Sequence, residues 1–316
     1  MSDRKDTIIS ELDILRKISV TESAGVFKER VYNAAIRTLK TLPHVRSMGD
    51  LPPMQKGDGL GKEVRIKIQM ILEKGSLDIL PQVRALANSL ETLQHIYGVG
   101  PKKAQELIAA GYTTIAALRE DQSVLNKNQR IGLRYYEDLL QRIPRSEMDQ
   151  HAKILMDAKP SQLEGVVVGS YRRGRPDSGD IDMLVRSDNG SELAEFVTTL
   201  KSRGYIREIL AQGDHKCMAI CSLPSAKARR LDILVTPVNE FPFAVFYFTG
   251  SDTFNVAVRS HAQSRGYTLN EHGVVLLSKG ISVMGIRNEK ELFSFLKLKW
   301  VEPVDRTGPE AIVALA

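Results

Sequence analysis

An all-helical N-terminal half followed by an α+β C-terminal half is the fold that this sequence predicts. Three observations carry the prediction. Apolar residues recur at helical spacing over roughly the first 140 positions. β-rich runs separated by turns begin near Leu163. The chain, at 316 residues, is long enough for two or more cores of ordinary size.

In chain order, Ile8, Ile9, Leu12, Leu15 and Ile18 fall on one helical stripe, and Val31, Ala34, Ala35 and Leu39 on another. Pro43, Pro52-Pro53 and Pro81 divide this region. A second helical stretch runs from about Arg84 to Leu140, with the amphipathic segments KKAQELIAAG and LRYYEDLLQRI, and stops before Ile143-Pro144. From Leu163 the period changes: EGVVVGSY, KCMAICSL and RRLDILVTP read as strands, with the helix SELAEFVTTLKSRG between the first two. Beyond Phe246, the helix DTFNVAVRSHAQSRG precedes the short strands of YTLNEHGVVLL. Helices first and a mixed sheet second make the class α+β.

A hydrophobic content of 42% with 26% charged residues excludes a disordered chain, and no apolar run reaches the length of a membrane span. The opening MSDRKDTIISELDILRKIS lacks the apolar stretch of a signal peptide. Cys217 and Cys221, four apart on an alternating run, read as buried core thiols. They are too few for a disulfide framework or a zinc site, which favours an intracellular compartment. A net charge of +6 and a pI near 9.2 point toward a polyanionic partner without identifying one.

GLGKEVRIKIQMILEKG and GVGPKKAQELIAAG form a weak internal repeat, each a Gly-x-Gly turn that opens an amphipathic helix. Such turns serve tight packing, but they also present backbone N–H groups and a helix dipole to a phosphate. Two copies, each followed by basic residues, fit helix-hairpin-helix elements that hold a DNA backbone without reading its sequence. Gly59 and Gly61 in the first, and Gly98, Gly100, Lys102 and Lys103 in the second, are the candidate DNA contacts.

The chemistry concentrates in GSYRRGRPDSGDIDMLV, residues 169–185. With a strand beginning at Asp180, alternation puts Asp180 and Asp182 on one face. Two carboxylates held together on a buried strand repel unless a divalent cation neutralises them. Oxygen ligands of this kind suit Mg²⁺. Asp232 in RRLDILV lies on another β-rich run and completes a candidate trio able to hold two metals for phosphoryl transfer. A lone D-x-D is more often a turn or a solvated strand end; the flanking Gly-Ser, the arginines and the later Asp outweigh that reading. Ser170 offers a hydroxyl, Gly169, Gly174 and Gly179 allow close backbone approach, and Arg173 can fork onto phosphate oxygens.

Gly-Ser followed by a two-Asp strand resembles the nucleotidyltransferase superfamily. The longer text GSYRRGRPDSGDID, with RRLDI and FYFTGSDTFNVAVRSHA, is similar to family X DNA polymerases, in particular the beta and lambda branch, over nearly the whole chain. The resemblance implies a helical lyase domain at 1–84, a helix-hairpin-helix DNA-binding subdomain at 85–145, a nucleotidyltransferase palm at 146–242 and a nucleotide-selecting subdomain at 243–316. It makes Asp180, Asp182 and Asp232 the ligands of two Mg²⁺ ions, with Mn²⁺ possible, and gives Asp232 the primer 3′-hydroxyl proton. Ser170, Arg173, Ser178, Gly179 and Arg142 would contact the triphosphate. Tyr247, Phe248 and Gly250 would line the sugar pocket, although core packing competes for Phe248, and Asp252 and Asn255 would bracket the incoming base. Arg259 would reach the template strand, with Glu271 holding it in an alternative position. Arg230 would sit near the primer terminus, and Arg306 would pack against the moving C-terminal subdomain. In the N-terminal domain Lys67 becomes the Schiff-base nucleophile of a 5′-deoxyribose phosphate lyase, a role that needs an amine neutral part of the time. Lys28 becomes a 5′-phosphate ligand and Tyr32 a pocket residue.

The sequence departs from the branch at three positions. Glu63 stands beside the first glycine turn where relatives often carry Lys, Leu234 replaces an Arg that contacts the third Asp, and Val256 replaces a basic residue stacked on the template base. The expected function is template-directed gap filling in base-excision-type DNA repair by a monomer, with gapped or nicked 5′-phosphorylated DNA and deoxynucleoside triphosphates as partners and no membrane. The expected residence is the nucleus in a eukaryote, otherwise the cytoplasm or a virus. No BRCT-type domain precedes the lyase domain, so recruitment by that route is not expected. Two alternatives stay open: a template-independent transferase, disfavoured by the short segment between the palm strands, and a non-catalytic DNA-gap scaffold, disfavoured by the complete Asp trio.

Overall fold

The computed structural model describes residues 2–19, 25–188 and 191–315. They form two compact units, Met1–Tyr136 and Glu137–Ala316. The first is helical: α1 (Lys5–Ser19), α2 (Gly25–Thr41), α3 (Lys62–Lys74), α4 (Pro81–Gln94), α5 (Pro101–Ala109), α6 (Ile115–Glu120) and α7 (Lys127–Arg134). Ile8 and Leu12 of α1, Ala35 and Leu39 of α2, and Val64, Ile68 and Ile71 of α3 close one core. Leu90 and Leu93 of α4 close a second with Ala104 and Leu107 of α5, Leu118 and Leu133. Pro81 begins a helix, because a missing N–H costs nothing at the first helical position. α4 therefore runs unbroken through residues 84 and 85. Arg84 forks onto the buried Glu11 at 2.9 Å on each arm, and Glu11 also accepts the Leu77 N–H, tying α4 back to α1.

A one-turn helix α8 (Tyr136–Leu139) spans the boundary, and the second unit follows as β1 (Ile143–Pro144), α9 (Arg145–Ala158), β2 (Glu164–Val167), α10 (Gly169–Arg172), β3 (Asp177–Ser178), β4 (Ile181–Arg186), α11 (Ser191–Ser202), β5 (Ile206–Gln212), β6 (Lys216–Cys221) and β7 (Arg229–Thr236). The five-stranded sheet has the order β2-β4-β7-β6-β5, with β4 and β7 parallel and the other neighbours antiparallel. Alternation along β4 and β7 decides everything that follows. Ile181, Met183 and Val185, with Leu231 and Ile233, face the core built with Met148 and Leu155 of α9 and Phe196 and Leu200 of α11. Asp182, Leu184, Asp232 and Leu234 must then face the other way. Cys217 and Cys221 belong to the core face, and burial pushes their thiols up to about 11 and about 12, the inert behaviour of packing cysteines.

The remainder is α12 (Phe241–Thr249), α13 (Asp252–Ser264), the small sheet β8 (Tyr267–Asn270), β9 (Gly273–Leu276) and β10 (Ile281–Ser282), and α14 (Glu289–Phe295). α12, FPFAVFYFT, is apolar all round, as a helix packed on two sides must be. Phe241, Ala244 and Val245 meet Leu184 and Val168, whereas Phe243 and Phe246 join Phe254, Leu292 and Phe293. This helical unit followed by a sheet-bearing one is the α+β class expected. No helix among the described residues is long and apolar enough to cross a membrane.

Candidate active site

Asp182 on β4 and Asp232 on β7 are register partners on adjacent parallel strands. Neighbouring strands lie about 4.8 Å apart, so the two carboxylates crowd each other on the face away from α9 and α11. Burial and then the Asp232 charge push the Asp182 carboxyl up to about 6, with Lys216 opposing them. Lys216 lies 3.7 Å from Asp232 Oδ2, while the buried Oδ1 of Asp232 has no hydrogen-bond partner. An orphaned buried oxygen beside a destabilised carboxylate is a donor set that fits a divalent cation.

β4 begins at Ile181, one residue later than expected, and leaves Asp180 at its entrance. The structure brings Asp182 and Asp232 together but pairs Asp180 with Arg230 of β7. With Asp180 so engaged, no group of three His, Cys, Asp or Glu among the described residues is gathered closely enough to hold a metal.

Around this pair the chain builds an anion cradle. Gly169 adopts φ +64°, and a Cβ there would meet Asp182 Oδ2 at 3.1 Å, so only glycine lets the loop turn over the carboxylate. Ser170 Oγ donates to Ser178 Oγ at 2.8 Å. The β1–β3 ribbon pairs Ile143 with Ser178 and Pro144 with Asp177, which carries Arg142 over Gly179. The Arg142 fork closes on Asp177 at 2.6 and 2.9 Å. Arg173 donates to the Thr249 carbonyl through one arm, its buried Nε has no partner, and Gly250 lies against the same guanidinium. Gly174 packs against Val304 instead.

Tyr247 and Phe248 stand edge to face on the last turn of α12, both partly buried, and Phe248 also packs against the Val168–Leu184 core. Gly250 ends the helix at φ +71°. Asn255 donates to the Tyr247 carbonyl at 2.7 Å, and its own buried Oδ1 has no partner. Asp252 opens α13 and is exposed, as are Arg259 and Val256, which line a shared groove. Glu271 lies 3.9 Å from His272 and forms no ion pair with Arg259 among the described residues. Leu234 faces a cavity of about 380 Å³ lined also by Lys216, Phe248, Glu271 and His272.

Arg306 is wholly buried, ringed by Phe246, Phe254, Phe293 and Trp300 at 5.1 to 5.8 Å, and bonded to Glu289 at 2.7 Å. Glu289 also receives Arg172, which bonds Thr249 on α12. Glu289, Lys216 and Asp177 were not singled out from the sequence, and Arg172 only as one of the arginines before the two-Asp strand. Of these, Asp177 carried a readable signal, a carboxylate inside a loop otherwise suited to anions.

In the N-terminal unit both Gly-x-Gly turns form as expected: Gly59 and Gly98 take φ +73° and +81°, and Gly61 and Gly100 are extended N-caps of α3 and α5. A Cβ on Gly61 or Gly100 would meet nothing within 4 Å, leaving the helix N-termini open to an approaching backbone. Lys102 is exposed, and Lys103 lies 3.8 Å from Glu106. Lys67 projects from α3, 29% exposed and 3.9 Å from Glu63. Lys28 on α2 is exposed and Tyr32 partly buried.

Three family models match consecutive stretches of the chain: the fingers domain of DNA polymerase lambda at residues 91–140, the DNA polymerase beta palm at 142–238 and the DNA polymerase beta thumb at 244–307. The sequence is 33% identical to DNA polymerase lambda of Rattus norvegicus over 271 residues, 78% of this chain and 47% of that protein. It is 30% identical to DNA polymerase lambda of Arabidopsis thaliana over 305 residues, 87% of this chain and 57% of that protein. The chain thus spans about half the length of these relatives.

Proposed function

This chain belongs to the beta and lambda branch of the family X DNA polymerases, and on that premise we propose that it fills short gaps in DNA by template-directed addition of deoxynucleotides to a primer 3′-end. The observation that carries the reading is the Asp182–Asp232 register pair, with its raised carboxyl and orphaned oxygen, set against the Ser170–Ser178 cradle. Asp180, Asp182 and Asp232 would hold two Mg²⁺ ions, or Mn²⁺, once Asp180 leaves Arg230. Such ions neutralise the attacking and leaving oxygens of phosphoryl transfer. The chain's own residues supply the positioning, which is most of the catalysis in this chemistry. Asp232 accepts the primer 3′-hydroxyl proton. Ser170, Ser178, Gly179, Arg142 and Arg173 seat the triphosphate. Tyr247, Phe248 and the Gly250 turn press on the sugar, Asp252 and Asn255 flank the base, and Arg259 and Arg230 meet template and primer.

The N-terminal unit holds the DNA backbone at Gly59, Gly61, Gly98, Gly100, Lys102 and Lys103. It takes the 5′-phosphate on Lys28 and Tyr32 and removes a 5′-deoxyribose phosphate through an imine on Lys67. The palm hairpin between β5 and β6 is only residues 213–215, which supports template dependence over free-end addition. The test is primer extension on a one-nucleotide gap with Mg²⁺, with and without a 5′-phosphate on the downstream strand. One complementary nucleotide should be added, faster when the phosphate is present. Failure to incorporate with either Mg²⁺ or Mn²⁺ overturns the reading.

A further inference from the structure

Three of the arginines assigned to substrate have acceptors of their own in this structure: Arg173 has the Thr249 carbonyl, Arg230 has Asp180, and Arg142 has Asp177. Two of these acceptors belong to the site's framework. Asp177 has no other part in the reading. Its carboxylate takes both Nη2 and Nε of Arg142, and Arg142 Nη2 also reaches the Asp177 carbonyl at 3.3 Å. A carboxylate receiving a guanidinium side-on is what a phosphate would look like to the same arginine. The register of the β1–β3 ribbon fixes the pair, since Ile143, next to Arg142, faces Ser178, next to Asp177.

We infer that Asp177 is a built-in rival of the substrate's phosphates for Arg142, and that it sets how tightly the site takes a nucleoside triphosphate and how readily it lets pyrophosphate go. This rests on the reading that Arg142 binds the triphosphate. A phosphate that takes Arg142 must displace Asp177 and then lies beside its negative charge, one residue from the Ser178 hydroxyl. Both partners are about half exposed, so the pair is weak enough to exchange; exposed pairs of this type are worth up to about fivefold in an equilibrium. When pyrophosphate leaves, the same carboxylate is at hand to receive the guanidinium. Asp177 therefore acts on ground-state binding and product release, and leaves the chemical step alone.

The experiment measures KM for the deoxynucleotide, kcat and inhibition by pyrophosphate on a one-nucleotide gap, at low and high salt. It uses the full chain and the variants Asp177→Asn, Asp177→Ser, Arg142→Ala and Asp177→Asn with Arg142→Ala. Both single Asp177 variants should lower KM and the pyrophosphate inhibition constant by about two- to fivefold, the range of an exposed ion pair, and high salt should narrow the gap. The Asp177→Asn effect should vanish once Arg142 is gone. Unchanged or raised constants in both Asp177 variants, or an Asp177→Asn effect that survives loss of Arg142, overturn the inference. If Arg142→Ala leaves both constants at the parent level, the placement of the triphosphate on Arg142 is what fails.

Discussion

In the sheet of the C-terminal unit, Asp182 and Asp232 are forced together from adjacent strands, one with its carboxyl pushed up to about 6 and the other with an orphaned oxygen. On α3 of the N-terminal unit, Lys67 stands partly exposed, 3.9 Å from a Glu63 side chain that is 84% exposed. The first arrangement costs folding free energy that Lys216 offsets only in part, because buried like charges repel in a poorly screening medium. The second costs almost nothing. A destabilised cluster is itself evidence of a ligand, whereas an amine in ordinary surroundings is marked only by its register to Gly59, Gly61 and Gly75. The two proposed activities thus rest on different kinds of support, one energetic and one positional, and experiments can separate them.

The largest effect belongs to Asp232→Asn. On the proposed roles, the variant loses a metal ligand and the proton acceptor together, and primer extension should fall on the order of a thousandfold or more. DNA affinity should hold, because the glycine turns proposed to meet phosphates lie elsewhere in the chain. Extension at the parent rate with Mg²⁺ would remove the energetic site from consideration.

The cost of the carboxylate pair can be measured directly. A folded-state carboxyl at about 6, against about 3.8 in the unfolded chain, means that the folded protein keeps a proton the unfolded chain has lost between those pH values. Stability should therefore rise as pH falls from about 6 toward 4, and the penalty should be fully present above 6, at about 3 kcal/mol if the whole shift is expressed. Asp182→Asn removes the charge with little change of shape. With a chelator present at pH 7.5, thermal unfolding should show the variant more stable than the parent by several degrees. At pH 4 the difference should be nearly gone, and added Mg²⁺ should favour the parent. A parent more stable than the variant in chelator would mean that the two charges are already compensated.

What the sequence made legible follows the same division. GDIDMLV and RRLDILV declare two strands with acidic residues facing away from an apolar side, because alternation is local. That β4 and β7 lie side by side and parallel, with Asp182 opposite Asp232 and Lys216 two positions along from the Asp232 partner Met218, is a property of register, and no single strand encodes it. The glycine turns were legible as a repeat, but the roles of their glycines were not. Gly59 is jammed against α2, where a Cβ would come 2.2 Å from the Ala35 nitrogen, so its absence of a side chain serves packing. Gly61, two residues on, faces open space. Arg306 is the extreme case: composition says that arginines are exposed, and only the assembled aromatic cage and Glu289 explain why this one is wholly buried.

The smallest and most discriminating prediction concerns Lys67. If its amine forms the imine, borohydride should trap the protein covalently on DNA bearing a 5′-deoxyribose phosphate, and Lys67→Ala should lose most of that adduct. The same variant should extend an ordinary primer at the parent rate, since the residues proposed for nucleotidyl transfer all lie in the other unit. Glu63 bears on the size of the effect. Its carboxylate, four residues before Lys67, repels a 5′-phosphate near the glycine turn, so the parent lyase should be slow. Glu63→Gln should then speed trapping in the parent background and do nothing in the Lys67→Ala background. Trapping at the parent level by Lys67→Ala would assign the imine to another amine and leave the N-terminal unit only the task of holding DNA.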